Sequence, residues 1–292
     1  MVHRIAYRFR RLLAILSIQD SFRYFLACLV HLPKFFRRKE LDLIPADRTV
    51  KRSITVNYKG VKVTVNCPRI DVLLGEESPI FSRAREMYAK DVYLKPFVLS
   101  RIPFHVVIDA GGNCGLFTIF AAQLAARVIW LEVQETKYQP ALAVLRESNH
   151  PKGEIIQVGG LLVGSTEKCH LQSGVMHSLP KSETVREILR YVGRGAVVTM
   201  RDLLDTYVNE RVSFLKMDIE GYEFSVMQDA DDWIQQVDNI ALEVHRDAGD
   251  PREIVEALER NTFRVVTADS ELRPTSAATA DYIYASATGA LR

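Results

Sequence analysis

The chain has 292 residues, 48% hydrophobic and 25% charged, an ordinary globular composition with enough length for one large domain and a sizeable core. Its net charge of +2 is unevenly placed: residues 1–39 hold nine Lys or Arg against the single acid Asp20, and the remaining 253 hold 29 basic against 35 acidic residues. A mildly acidic body argues against a groove that tracks nucleic-acid phosphates. Four cysteines (Cys28, Cys67, Cys114, Cys169) without a C-x-x-C pair argue against structural zinc and point to a reducing, cytoplasmic setting.

In chain order, residues 1–45 are expected to be helical. Ile5, Phe9, Leu12 and Leu16 recur at helical spacing beside a basic stripe of Arg4, Arg8 and Arg11. Such a segment suits peripheral contact with an anionic membrane through residues 1–39, or packing on the body or on a second subunit of a homo-oligomer; both stay open. The apolar run after Arg11 is short and lacks a small-x-small cleavage pattern, so it does not read as a signal peptide, and Asp20 and Arg23 interrupt the only candidate span. The body is expected over 53–292. Ser53 to Asn66 reads as a hairpin around Lys59-Gly60, and Pro79 to Lys90 as a helix.

From 105 onward strands and helices alternate: strand 105–109, helix 115–125, strand 127–133, helix 136–148 and strand 154–163. Between Cys169 and Arg194 a loop region is expected to border the substrate. Then come helix 201–208, strand 212–218, helix 222–229, strand 239–245, helix 251–260 and strands 263–268 and 281–287. The alternation predicts an α/β fold with a mainly parallel sheet and helices on both faces. The last two strands lack a crossover helix, so the final one is expected to pair antiparallel.

The run H-V-V-I-D-A-G-G-N-C-G-L-F from His105 to Phe117 is a buried strand, a glycine turn and the start of a helix, the place where α/β sheets bind nucleotide-like ligands. A dinucleotide fingerprint would need glycine at 110, 112 and 115, and position 110 is Ala. Asp109 would repel a pyrophosphate and attract the ammonium of an amino-acid-bearing cofactor such as S-adenosylmethionine. The second strand, R-V-I-W-L-E-V, places Glu132 20 residues after Gly112, the spacing of an acid that accepts both ribose hydroxyls of an adenosine. The candidate cofactor contacts are therefore Asp109, Gly111, Gly112, Asn113, Gly115 and Glu132. Cys114 reads as a small packing residue.

The segment V-S-F-L-K-M-D-I-E-G-Y-E (Val212 to Glu223) ends a strand in Asp218 and Glu220, with Glu223 opening a helix where an acid favours the N-terminus. Acids clustered at a carboxyl edge imply a cation, a metal or a proton-transfer task. His245 ends N-I-A-L-E-V-H, two residues after Glu243, and is a further candidate base near neutral pH. Asp218, Glu220 and His245 are the candidate catalytic residues, with no metal assigned, although an acid there could hold one instead.

The combination V-I-D-A-G-G-N-C-G-L-F-T, W-L-E, T-M-R-D-L-L-D, F-L-K-M-D-I-E-G-Y-E and I-A-L-E-V-H, over roughly residues 54–287, resembles the FkbM-type S-adenosylmethionine-dependent methyltransferases. The resemblance implies a class I methyltransferase (Rossmann-like) fold and O-methylation of a hydroxyl on a sugar, polysaccharide or natural product. The chain departs from the family at Val133, where proline is usual, and at Gly159-Gly160, where an asparagine-alanine pair is usual. The competing readings are a nicotinamide-dependent oxidoreductase, which Asp109 and Ala110 disfavour, and a non-catalytic Rossmann-like binding module.

Overall fold

The computed structural model describes residues 2–38, 43–75, 77–173 and 196–292, and the chain divides into two compact units. The first comprises Met1–Val92, Cys114–Phe120 and Lys137–Pro151. Its helices Val2–Ile15 and Ile18–Arg38 turn Leu12, Ile15, Tyr24 and Cys28 inward and Leu16 is buried between them, so the apolar stripe read in the sequence is in part core. Tyr24 donates to the buried carboxylate of Asp47 (2.6 Å), which also takes the Arg85 guanidinium (2.8 Å). Burial of so many groups around one carboxylate is tolerable because each charge has its partner. Strands β1 (Ser53–Tyr58) and β2 (Val61–Asn66) form the expected antiparallel hairpin, with Lys59 and Gly60 both at positive φ in the turn. Alternate residues Ile54, Val56, Tyr58, Val63 and Val65 are buried, the period-2 pattern of a one-sided sheet. The helix expected over 79–90 is α-helical from Ile80 to Ala84 and widens to a π-turn over Arg85–Lys90.

The second unit (Tyr93–Asn113, Ala121–Thr136, Lys152–Arg292) holds an eight-stranded sheet. Its strands are β3 (Val106–Ala110), β4 (Arg127–Glu132), β5 (Glu154–Leu162), β6 (Ala196–Val198), β7 (Val212–Met217), β8 (Asn239–Glu243), β9 (Arg264–Ala268) and β10 (Tyr282–Ser286). They lie in the order β6-β5-β4-β3-β7-β8-β10-β9. All pairs from β6 to β8 are parallel, whereas β10 runs antiparallel to both β8 and β9. This is the mainly parallel sheet with an antiparallel final strand that the alternation of elements predicts. β3 and β7 are buried along their whole length, as central parallel strands must be, and read in sequence as apolar runs for that reason. Helices Met200–Tyr207, Glu223–Gln228 and Pro251–Arg260 join the core of this unit through Leu203, Leu204, Val226, Ile254 and Leu258. The chain winds outward from β3 through β4 to β6, then returns to the other side of β3 at β7. Such a reversal is the place where open α/β sheets bind ligands.

Three sequence expectations change. The helix expected over 115–125 stops at Ala121, because the carbonyl of Ala122 accepts from the amide of Gly153 (2.9 Å) rather than from its own helix. The strand expected to reach His245 ends at Glu243. The loop region expected from Cys169 to Arg194 starts inside a helix, Ser165–Ser173, and its remainder lies outside the described residues.

Candidate active site

The turn after β3 and the end of β7 meet at the switch point. Gly111 has φ +71, and a Cβ there would lie 1.7 Å from the carbonyl oxygen of Asp218. A Cβ on Gly112 would lie 2.2 Å from Cδ1 of the Trp130 ring. Only glycine lets the two segments approach so closely. The amides of Gly111 and Gly112 both donate to Leu131 O (3.0 Å), and the amide of Asp218 donates to Ala110 O (3.1 Å). Asn113 takes φ +46, a conformation Asn tolerates. Gly115, φ +89, belongs to the first unit, where it lies against Leu142.

Glu132, 6% exposed, accepts the amide of Asn113 on Oε2 and that of Gln134 on Oε1, both at 2.8 Å. Burial raises its pKa above the usual carboxylate value, and the two hydrogen bonds only partly offset this. Each oxygen keeps a second lone pair, so the pair of acceptors expected to meet a ribose is present and held in place. Gly159, beside Glu132 in the sheet register, lies against the Glu135 carboxylate, where a Cβ would sit 2.0 Å from Oε2. A Cβ there would require the Glu135 carboxylate to swing aside.

Asp109 differs from the expectation that it attracts a cofactor's ammonium. It is fully buried, and Lys216 Nζ stands 3.2 Å from its Oδ1. The same ammonium donates to Ala110 O (3.2 Å) and Gly111 O (2.6 Å), lies 3.9 Å from Asp218 Oδ2, and sits 5.2 Å from the centroid of the Tyr93 ring. Burial works against this charge, but Asp109 and Asp218 outweigh it and raise Lys216 above its usual value. The chain thus supplies the cation for Asp109 itself, and the pair pins the glycine turn to β7.

Asp218, Glu220 and His245 converge. One oxygen from each acid and one imidazole nitrogen lie within 4.8 Å of one another, the one group among the described residues spaced to hold a metal ion. His245 Nε2 is 3.4 Å from Glu220 Oε2, and Nδ1 is 3.0 Å from Oε1 of the buried Glu223. Glu223 heads its helix as expected, and its Oε1 also caps the amide of Ile219 (2.9 Å). Burial opposes charge on His245, but the hydrogen bonds to Glu220 and Glu223 prevail and push its pKa up to about 11. Near neutral pH the ring is therefore an imidazolium with no vacant site for a proton. Glu220 has φ +57, a conformation unusual for a residue other than glycine and held here against its own preference. Asp218 accepts the Tyr93 hydroxyl on Oδ2 (2.8 Å), and that hydroxyl also reaches Glu243 Oε2 (3.4 Å), whose other oxygen takes Tyr282 (3.4 Å).

Tyr93, Lys216 and Tyr282 were not read from the sequence. Lys216 had a signal, since a lysine inside V-S-F-L-K-M, a strand otherwise apolar enough to be central, needs a buried countercharge. Tyr93 had none, lying 125 residues from its partner Asp218.

The profile of the methyltransferase FkbM domain matches residues 164–265, a stretch that includes β7, β8 and all three converging residues. Comparison with curated proteins gives no match. Among solved structures, an rRNA methylase from Streptococcus thermophilus is 13% identical with a TM-score of 0.36, covering 67% of this chain and 89% of its own. The precorrin-6y C5,15-methyltransferase of Geobacter metallireducens is 14% identical (TM-score 0.34; 64% and 83%). Spermidine synthase from Thermotoga maritima is 14% identical (TM-score 0.36; 80% and 69%).

Proposed function

We propose that the chain is an S-adenosylmethionine-dependent methyltransferase of the FkbM type whose acceptor is an alcohol hydroxyl, on a sugar, a polysaccharide or a natural product of similar polarity. The observation that supports this reading is the convergence of Asp218, Glu220 and His245 at the carboxyl edge beside the glycine turn. An alcohol must lose a proton as it is methylated, so it calls for a base held beside the donor.

The chain's residues fit the donor. Gly111 and Gly112 let the turn close against Asp218 and Trp130, and Glu132 offers two fixed carboxylate oxygens at the spacing of a ribose acid. S-adenosylmethionine supplies a methyl on a positively charged sulfur, which leaves with the C–S bonding electrons as the acceptor oxygen forms its C–O bond. The proton released from the acceptor passes to a carboxylate. His245 already holds its own proton, and Asp218 is tied to Tyr93 and Lys216. Glu220, with a half-exposed side chain, is the acceptor group in this scheme, and His245 positions it. Alignment of the two reactants contributes much of the rate, on the order of 7–11 kcal/mol for well-oriented groups.

The test is incubation of the purified chain with isotopically labelled donor and panels of glycans and polyhydroxylated natural products. A methyl mass shift mapped to one hydroxyl is expected. Methylation confined to nitrogen or carbon acceptors would overturn the hydroxyl reading, and tight NAD binding without donor binding would overturn the reaction class.

A further inference from the structure

Helix Ile18–Arg38 has two apolar sides. Ser21, Tyr24 and Cys28 pack into the first unit, whereas Ile18, Phe22, Phe25, Leu26, Leu29 and Val30 are between 41% and 92% exposed. These six recur at steps of three and four, so they share one arc of the helix surface. Leu13, on the preceding helix, is half exposed as well. A continuous row of large apolar side chains facing water marks a contact surface, because isolated exposed residues are common and rows are not.

A cleft of about 430 Å³ opens beside this helix and takes Asp20, Arg23 and Tyr24 from it. Leu16, Ile54 and Phe81 contribute apolar wall, and Arg23, Lys51 and Arg52 contribute positive charge. Asp20 is the one acid of the lining; it pairs with Arg52, lies 4.0 Å from Arg23, and accepts the Ser17 hydroxyl (2.8 Å). Three cations against one carboxylate leave the cleft short of negative charge. Residues 1–39 have the same imbalance, nine basic residues against one acid.

We propose that this face docks on a membrane rich in anionic lipid, with the row from Ile18 to Val30 at the headgroup–acyl boundary and the Arg23, Lys51 and Arg52 cleft taking a lipid phosphate. No helix among the described residues is long and apolar enough to cross a membrane, so the contact lies on the surface. A second copy of the chain is the poorer occupant: a twofold contact would bring the same basic segment against itself and leave the missing negative charge unsupplied. Anionic lipid supplies both the apolar layer and the countercharge. The inference does not depend on which acceptor is methylated.

The experiment uses the full chain in co-sedimentation with vesicles of phosphatidylcholine alone and of phosphatidylcholine with phosphatidylserine. Binding is expected on the mixed vesicles and is expected to fall as salt rises. The triple variant Phe22→Ser, Leu26→Ser, Leu29→Ser should lose at least about tenfold in vesicle affinity while its melting and methyl transfer stay as in the wild type, since these side chains face outward. Arg23→Glu with Lys51→Glu should also weaken binding at least about tenfold on mixed vesicles, each charge near the surface being worth roughly fivefold. Wild-type protein left in the supernatant with both vesicle types would overturn the proposal, as would a triple variant that binds like the wild type. Concentration-dependent dimers abolished by the triple variant, without vesicle binding, would assign the face to a second copy and overturn it equally.

Discussion

Replacing Lys216 with Met tests whether the buried ion pair holds the cofactor turn. Asp109 is fully buried, and the Lys216 ammonium 3.2 Å away also donates to two carbonyls of the turn. At that separation, with an effective dielectric of about 20, the attraction is about 5 kcal/mol. The net effect of losing the lysine is smaller than the Coulomb figure suggests, because the cost of desolvating both charges offsets part of the attraction, and breaking buried pairs by removing one partner typically costs about 3–5 kcal/mol. Lys216→Met should therefore lower unfolding free energy by about 3–5 kcal/mol near neutral pH. Asp109→Asn added to Lys216→Met should restore at least half, since the one fully buried carboxylate of the cluster is then gone and Asp218, which also loses the lysine, is partly exposed. Urea denaturation of the four proteins in a double-mutant cycle reads this directly. A single variant within about 1 kcal/mol of wild type, or a double variant whose loss is the sum of the two singles, would refute the argument.

Glu220→Gln should cut methyl transfer by about a hundredfold to ten-thousandfold with melting unchanged, the loss typical of a general base; wild-type turnover would remove the proton-transfer assignment. Glu132→Ala should weaken donor binding by roughly 1–3 kcal/mol in calorimetric titration, and unchanged affinity would leave Glu132 as a support for the Asn113 turn alone. Because the folded pKa of His245 lies above its unfolded value, its contribution to stability is complete below about pH 6.5, declines as pH rises, and is gone once pH passes about 11. His245→Gln should therefore lose most stability at acid to neutral pH and little in strong alkali, and parallel melting-versus-pH curves for the two proteins would contradict that. Excess chelator is expected to leave turnover intact, since both His245 nitrogens already face carboxylates; loss of activity that Mg²⁺ or Mn²⁺ restores would reassign Asp218, Glu220 and His245 to a cation.

What could be read in advance follows from how local each determinant is. Strands β3, β4 and β7 were legible because a strand buried on both faces is a continuous apolar run, and their acids were legible because charge at the end of such a run has to face something. Helix Pro251–Arg260 was placed to the residue, since Asp250 caps it and Pro251 occupies its first turn. The helix Cys67–Leu74 was passed over although its signals are local too: Asn66 accepts from Arg69 at one end and Gly75 turns left-handed at the other. The three-residue strand β6 falls below any periodicity window. At the site, Tyr93 and Asp218 are joined only by the tertiary fold, and no spacing rule spans 125 residues.

The first two helices show a different limit. A period of 3.6 tells that a helix is amphipathic, but Ile18–Arg38 carries one apolar arc through Tyr24 and Cys28 and another through Phe22, Phe25 and Leu29, and the pattern alone does not say which meets the protein. Membrane contact and internal packing, which the sequence left as alternatives, are compatible once the two arcs are separated. The inward arc, with Tyr24 donating to Asp47, accounts for folding; on the outward arc Phe25 meets Phe9 edge-on (5.3 Å between ring centroids), while Phe22, Leu26 and Leu29 stay 43–61% exposed. Deleting the whole segment would therefore confound the two roles, whereas serine substitutions on the outward arc change only one of them.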